Sequence, residues 1–225
     1  MIELRKVSHS YGDRAVLRSV SLRLTERRIG VIGANGSGKS TLARLINGLV
    51  QPDTGQVRVA GLDPVREPRE VRRRVGFVFP DADAQIIMPT VAEDVAAGLP
   101  DRTSDTAQRR VTEVLNRYGL GDHADHPAHL LSGGQKQLLA LASVLVTEPD
   151  ILVCDEPTTL LDLRNVTLLR RTLDELDQRV ILLTHHLETL RDFDRVLVMD
   201  EGRVVFDGAP EAATSYYREL MATPW

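Results

Sequence analysis

Hydrophobic and polar positions follow a strand-like rhythm in the first part of the chain, a helix-like one in the middle, and strands again towards the end. Leu22 and Leu24 alternate with polar residues, Ile29 to Ile32 is a short β-rich run, and QVRVAG follows the turn-forming PDTG at 52–55. Each predicts a strand. Val75 to Phe79 predicts another, stopped by Pro80. Between Val91 and Val146 apolar residues recur three and four apart in VAEDVAAGL, RRVTEVLNRYGL and QKQLLALASVLV, which predicts helices. After Pro149 strands return: ILVC before Asp155, VILLT at 180–184, and RVLVMDEGRVVFDG as two strands around a turn at Asp200, Glu201 and Gly202. Strands interleaved with helices predict an α/β core into which the middle helical block is inserted. No fixed-period repeat and no low-complexity linker divides the chain, so residues 1–225 read as one domain, with the helical part at 81–147.

Composition removes alternatives rather than adding a function. With 42% hydrophobic and 27% charged residues the chain is an ordinary globular sequence. A net charge of -4 gives no electrostatic reason to expect nucleic acid. The single cysteine, Cys154, cannot form an internal disulfide and fits a reducing compartment. The opening MIELRKVSHSYGD carries charges where a signal peptide needs apolar residues, and the longest apolar run, Leu138 to Val146, is too short for a membrane span. The expectation is a chain that reaches a membrane only through a partner.

Residues 33–40, GANGSGKS, complete the pattern G-x-x-x-x-G-K-[ST] between the strand at Ile29–Ile32 and the helical TLARLINGLV. Gly33, Gly36 and Gly38 let the backbone approach phosphate oxygens, with Asn35 and Ser37 completing the loop. A helix starting near Lys39 adds its positive end. Lys39 supplies a point charge for the β- and γ-phosphates, the Ser40 hydroxyl can ligate Mg²⁺, and Thr41 follows in the first helical turn. The chemistry implied is binding of a nucleotide with β- and γ-phosphates. At the end of ILVC stand two carboxylates, Asp155 and Glu156, and strand ends of a parallel sheet line the ligand crevice. Asp155 suits the Mg²⁺ site; Glu156 suits the base that polarises an attacking water.

Residues 131–135, LSGGQ, run directly into QKQLLALASVLV and resemble the signature segment of ABC ATPases. The resemblance extends from Ile2 to about Gly208 and implies a P-loop NTPase of the ABC ATPase fold, with an antiparallel β subdomain and an inserted α-helical subdomain. It also implies a head-to-tail dimer, in which Ser132, Gly133, Gly134 and Gln135 of one copy cover the ATP of the other, the two copies being identical or paralogous. Tyr11 matches the aromatic that stacks on adenine. TTLLD at 158–162 resembles the D-loop, with Asp162 the matching residue, and VILLTHH makes His185 the γ-phosphate contact, while His186 receives no role.

One position departs from the pattern. Relatives carry a glutamine after the strand VGFVF, where this chain has Pro80. The stretch FPDADAQIIMPTVAEDVAAGL otherwise resembles the ATPases of energy-coupling factor importers, and Gln85 or Asp81 is the candidate replacement. Three histidines at 123, 126 and 129 precede the signature, but Pro127 breaks the helix there and no carboxylate or cysteine completes a metal site; they read as a solvated loop. REPREVRRR at 66–74 reads as an exposed helical face.

The resemblance therefore implies a peripheral ATPase subunit at the cytoplasmic face of the cell membrane. Its partners would be a transmembrane scaffold subunit and a substrate-binding membrane protein, importing a vitamin such as biotin or a metal such as cobalt or nickel. An ABC ATPase acting on ribosomes or DNA would resemble tandem domains or carry coiled-coil insertions, and neither is visible. A low-turnover nucleotide binder draws support from Pro80 and is opposed by Glu156 and His185. If Gln85 replaces the missing glutamine, Gln85→Ala lowers the ATPase rate of the assembled transporter severalfold; an unchanged rate removes Gln85 from that role.

Overall fold

The computed structural model describes residues 1–158 and 161–222. Two sheets organise it. The first is antiparallel, with β1 (Ile2–Tyr11) between β2 (Arg14–Leu24) and β4 (Thr54–Val59). The alternation read at Leu22 and Leu24 is its physical signature: Leu17, Val20, Leu22 and Leu24 are buried while Arg18, Ser21 and Arg23 face outward. The second sheet has the order β5 (Val75–Val78), β6 (Ile151–Asp155), β7 (Arg179–Leu183), β3 (Arg28–Gly33), β8 (Arg195–Asp200), β9 (Arg203–Gly208). Its pairings are parallel except for the β8–β9 hairpin.

A parallel sheet needs cover on both faces, and here alternate residues divide between two cores. Ile32, Val78, Leu152, Cys154, Leu182 and Val198 enter one, shared with the helical block. Val31, Phe77, Val153, Ile181, Leu183 and Met199 enter the other, shared with the antiparallel sheet and with α1 (Lys39–Asn47). This is why these strands read as unbroken apolar runs.

Helix α2 (Pro68–Arg74) buries Val71 and turns its arginines outward, as the mixed-charge run predicts. Between β5 and β6 lie α3 (Val91–Ala96), α4 (Asp105–Arg117) and α5 (Gly133–Leu145), packed on one another, with α5 also against β5. Two boundaries differ from the periodicity. Helix α3 stops at Ala96, short of Gly98 and Leu99, and α4 begins at Asp105 because Ser104 caps it, accepting the Ala107 N–H at 3.3 Å. Two further helices, α6 (Leu163–Asp174) and α7 (Pro210–Ala222), were not predicted. Among the described residues no helix is long and apolar enough to cross a membrane.

Arg28 ties α6 to the sheet. Its guanidinium, almost wholly buried, donates to the carbonyls of Gln178 at 2.7 Å, Leu173 at 3.1 Å and Asp174 at 3.2 Å, satisfying the C-terminal end of α6. Arg28→Met removes these charge-assisted hydrogen bonds from a buried position, and urea unfolding should show a loss of about 2–4 kcal/mol.

Candidate functional site

Strand β3 ends at Gly33, and the chain turns through Ala34 to Gly38 before α1 begins. Gly38 takes φ 102°, a conformation side chains resist, and a Cβ there would lie 2.8 Å from the Val16 carbonyl oxygen. One on Gly33 would collide with the Met199 carbonyl oxygen. The Ser37 N–H closes the turn on the Ala34 carbonyl at 3.1 Å, and the Gly202 N–H holds the Ser37 carbonyl at 3.1 Å. The loop is thus pinned to the β8–β9 turn.

Lys39 is buried and folds back over the loop, its Nζ donating to the carbonyls of Gly33 at 2.7 Å and Ala34 at 3.1 Å. Burial lowers its pKa, against the upward pull of Glu156 and Asp155. The next side chain, Ser40, donates from Oγ to Asp155 Oδ1 at 2.9 Å. Asp155 has no exposed surface, and its Oδ2 has no hydrogen-bond partner among the described residues. Burial pushes its pKa up, opposed by the Ser40 hydrogen bond and by the charges of Arg44 and Lys39. A buried carboxylate oxygen beside a hydroxyl oxygen is a hard donor pair that fits Mg²⁺.

Glu156 adopts φ 50°, a left-handed backbone that costs a non-glycine residue on the order of 1 kcal/mol. Its N–H donates to the Leu183 carbonyl of β7 at 2.9 Å. Its Oε2 accepts from His185 Nδ1 at 2.7 Å and from the His185 N–H at 3.2 Å. The carboxylate therefore holds the His185 proton on Nδ1. His186 lies against His185 with ring centroids 4.2 Å apart, and burial, then the His185 charge, lowers its pKa.

Tyr11 and Arg14 face each other where β1 turns into β2. Tyr11 is 47% exposed, and its ring meets His9 edge-on, centroids 4.7 Å apart. A cavity of about 270 Å³ brings Tyr11 together with Asn35, Gly36, Gly38, Lys39, Ser40, Thr41 and Glu156. Asp155 and His185 join it through Ser40 and Glu156. Arg14 and Val16 also line it. Neither was singled out in the sequence; nearness to Tyr11 in the chain was their one signal.

The remaining candidates lie elsewhere. Ser132 caps α5, its Oγ accepting the Gln135 N–H at 3.3 Å while Gln135 Oε1 accepts the Ser132 N–H at 2.9 Å. None of Ser132, Gly133, Gly134 and Gln135 lines the cavity. A side chain at Gly134 would overlap Asn165, in the first turn of α6, another residue the sequence did not point to. Asp162 caps α6 by accepting the Asn165 N–H at 2.8 Å; Thr159 and Leu160 of the same segment lie outside the described residues. Gln85 is engaged at both ends, its oxygen accepting the Phe79 N–H at 3.0 Å and its amide donating to the Ala140 carbonyl at 3.1 Å. It braces β5 against α5 and does not reach the cavity. His126 and His129 are exposed, and no cluster of three metal-ligating side chains occurs among the described residues.

Residues 17–159 match the sequence profile described as ABC transporter. The chain belongs to the ABC transporter family. It is 55% identical over 226 residues to a putative ABC transporter ATP-binding protein of Deinococcus radiodurans, covering both chains in full. To the biotin transport ATP-binding protein BioM of Rhizobium etli it is 47% identical over 223 residues, covering 98% of this chain and 99% of the relative. Its fold matches cbiO1 from Clostridium perfringens, part of the ABC transporter complex cbiONQ, with TM-score 0.84 and 31% identity over 98% of this chain and 92% of that one. It has the ABC ATPase fold and is an ATP-binding subunit whose hydrolysis of ATP is coupled to transport.

For this ATPase the raised pKa of Asp155 has a definite sign. A carboxyl that holds its proton more tightly when folded favours the folded state in acid, and its charge opposes folding once pH passes the folded value. Asp155→Asn keeps an oxygen for Ser40 and removes that charge. At neutral pH urea denaturation should show the ligand-free variant to be more stable than the parent, with the extra stabilisation by ATP and Mg²⁺ lost.

Proposed function

We propose that this ATPase energises an importer of the energy-coupling factor type, with biotin as the leading cargo and cobalt or nickel as the alternative. The observation that carries the catalytic part is one cavity joining Lys39, Ser40 and Glu156, backed by Asp155 and His185. Tyr11 stacks on adenine. The backbone of Gly33 to Gly38, with Asn35 and Ser37, receives the phosphates, together with Lys39 and the first turn of α1 at Ser40 and Thr41. Ser40 and Asp155 hold Mg²⁺, which when bound neutralises phosphate charge. Glu156 orients a water and takes its proton as the water oxygen attacks the γ-phosphorus and the bond to the bridging oxygen breaks, leaving ADP and inorganic phosphate. His185 keeps Glu156 in place and senses the γ-phosphate.

Ser132, Gly133, Gly134 and Gln135 of a second copy, identical or paralogous, cover the ATP, with Asp162 between the two sites. The pair drives a transmembrane scaffold subunit and a substrate-binding membrane protein from the cytoplasmic face of the membrane; nucleic acid has no part. Support for import comes from the biotin transport relative, from cbiO1 with its cbiONQ complex, and from the PDADAQIIMPTVAEDV stretch. Gln85, held between Phe79 and Ala140, transmits the docking of the scaffold to α5.

Glu156→Gln should retain ATP and lower hydrolysis at least about a hundredfold. Co-purification from native membranes in mild detergent, followed by uptake assays with biotin, cobalt and nickel, tests the rest. Recovery of a membrane scaffold with a small substrate-binding membrane protein is the expected result; recovery of ribosomal or DNA-repair proteins overturns the importer.

A further inference from the structure

Gln135 makes a third contact beyond its exchange with Ser132. Its Oε1 accepts the Ser132 N–H at 2.9 Å, and a backbone N–H can only donate, so the orientation of the amide is decided. The –NH₂ end then faces His123 Nε2 at 3.0 Å. Two donors cannot share that contact. His123 must present a lone pair at Nε2 and carry its one proton on Nδ1. Nδ1 is shielded from solvent, and no described residue offers it a hydrogen bond, so the Gln135 amide alone selects the tautomer.

The histidine is well placed for this task. It ends a 3-10 turn, Gly121–His123, whose last N–H donates to the Leu120 carbonyl at 3.0 Å, and Leu120 is fully buried in the helical block. The His126 N–H returns to the His123 carbonyl at 2.9 Å, and the His126 ring packs edge-on with centroids 5.0 Å apart. Turn, ring and amide form a short rigid path from the helical core to the cap of α5.

We infer that His123 is a positioning residue: as the neutral, Nδ1-protonated ring it locks Gln135, and through Gln135 holds Ser132 in the geometry with which this segment covers the ATP of a second copy. The last clause rests on the function proposed above. Without His123 the Gln135 amide rotates freely, the Ser132 N–H loses its acceptor part of the time, and the first turn of α5 frays. Glutamine is the conservative replacement, because its side-chain oxygen can occupy the position of Nε2.

The test uses the full-length chain. Nitrogen NMR of its imidazoles, with His123 assigned by the signal missing in His123→Gln, should show the Nδ1–H tautomer at neutral pH; the Nε2–H tautomer or an imidazolium overturns the inference whether or not the chain hydrolyses ATP. His123→Ala should lower ATPase at saturating ATP about tenfold, the scale of one lost hydrogen-bond partner, and weaken ATP-driven pairing in a Glu156→Gln background. Its affinity for a fluorescent ADP analogue, held by its own phosphate loop, should not change. His123→Gln should restore most of the rate. Full activity in His123→Ala, equal impairment in His123→Gln, or a matching fall in ADP affinity overturns the positioning role. A parent chain that never pairs with ATP counts against the proposed function and the pairing role together, while the tautomer still decides the contact with Gln135.

Discussion

Burial of both faces of the six-stranded sheet is the constraint on which everything else in this molecule depends. A parallel strand pair cannot close with a tight turn, so each connection leaves the sheet and returns over one of its faces. Helices and the antiparallel sheet supply the cover, and successive residues of β3, β6 and β7 divide between two cores. Polar groups are excluded from the strand interiors and gather where the strands end. Gly33, Asp155 and Leu183 close three neighbouring strands, and the cradle, the carboxylates and the histidine follow within a few residues of them.

The ends of those strands hold groups in states that water would not favour. Lys39 is buried against carbonyl oxygens, Asp155 is a carboxyl whose charge is opposed by its surroundings, and Glu156 sits in a left-handed backbone. The surrounding core makes these states persist, since the chain cannot relax one without disturbing the packing of β3, β6 and β7. In the proposed function, such a site would gain from a ligand that brings phosphate oxygens to the lysine and a divalent cation to the aspartate.

The helical block shows a different economy. It shares one apolar core with the sheet, and two polar contacts add to that packing: Gln85 bridges Phe79 and Ala140, and Lys136 reaches Asp83 at 2.6 Å. Both link the loop after β5 to α5, whose first turn carries Ser132 and Gln135. Lys136 lies beside Gln135 in the first turn of α5, so its ion pair joins this loop to the start of the helix, while the Gln85 amide joins it to Ala140 further along.

What the residue order determines by itself is whatever lies within one turn or one strand. The phosphate loop is legible because Gly33 to Ser40 are contiguous and their chemistry needs that spacing, and the strands are legible because their apolar residues have a fixed period. Helices α6 and α7 were not read from the sequence although each has a core-facing stripe, Leu169 and Leu173 in α6 and Ala213, Tyr216, Tyr217 and Leu220 in α7. The exposed Leu163 and Leu168 blur the first, and one alanine with half-buried tyrosines makes the second inconspicuous. The tertiary structure alone decided that Ser40 meets Asp155 across 115 residues and that Glu156 meets His185 across 29. It also decided that Tyr11 faces the cradle, that Gln85 is spent as a brace, and that His123 grips Gln135. Local spacing specifies local backbone, but strand order and the direction in which each chain segment returns to the sheet arise from burying two apolar faces at once, and no single segment contains that information.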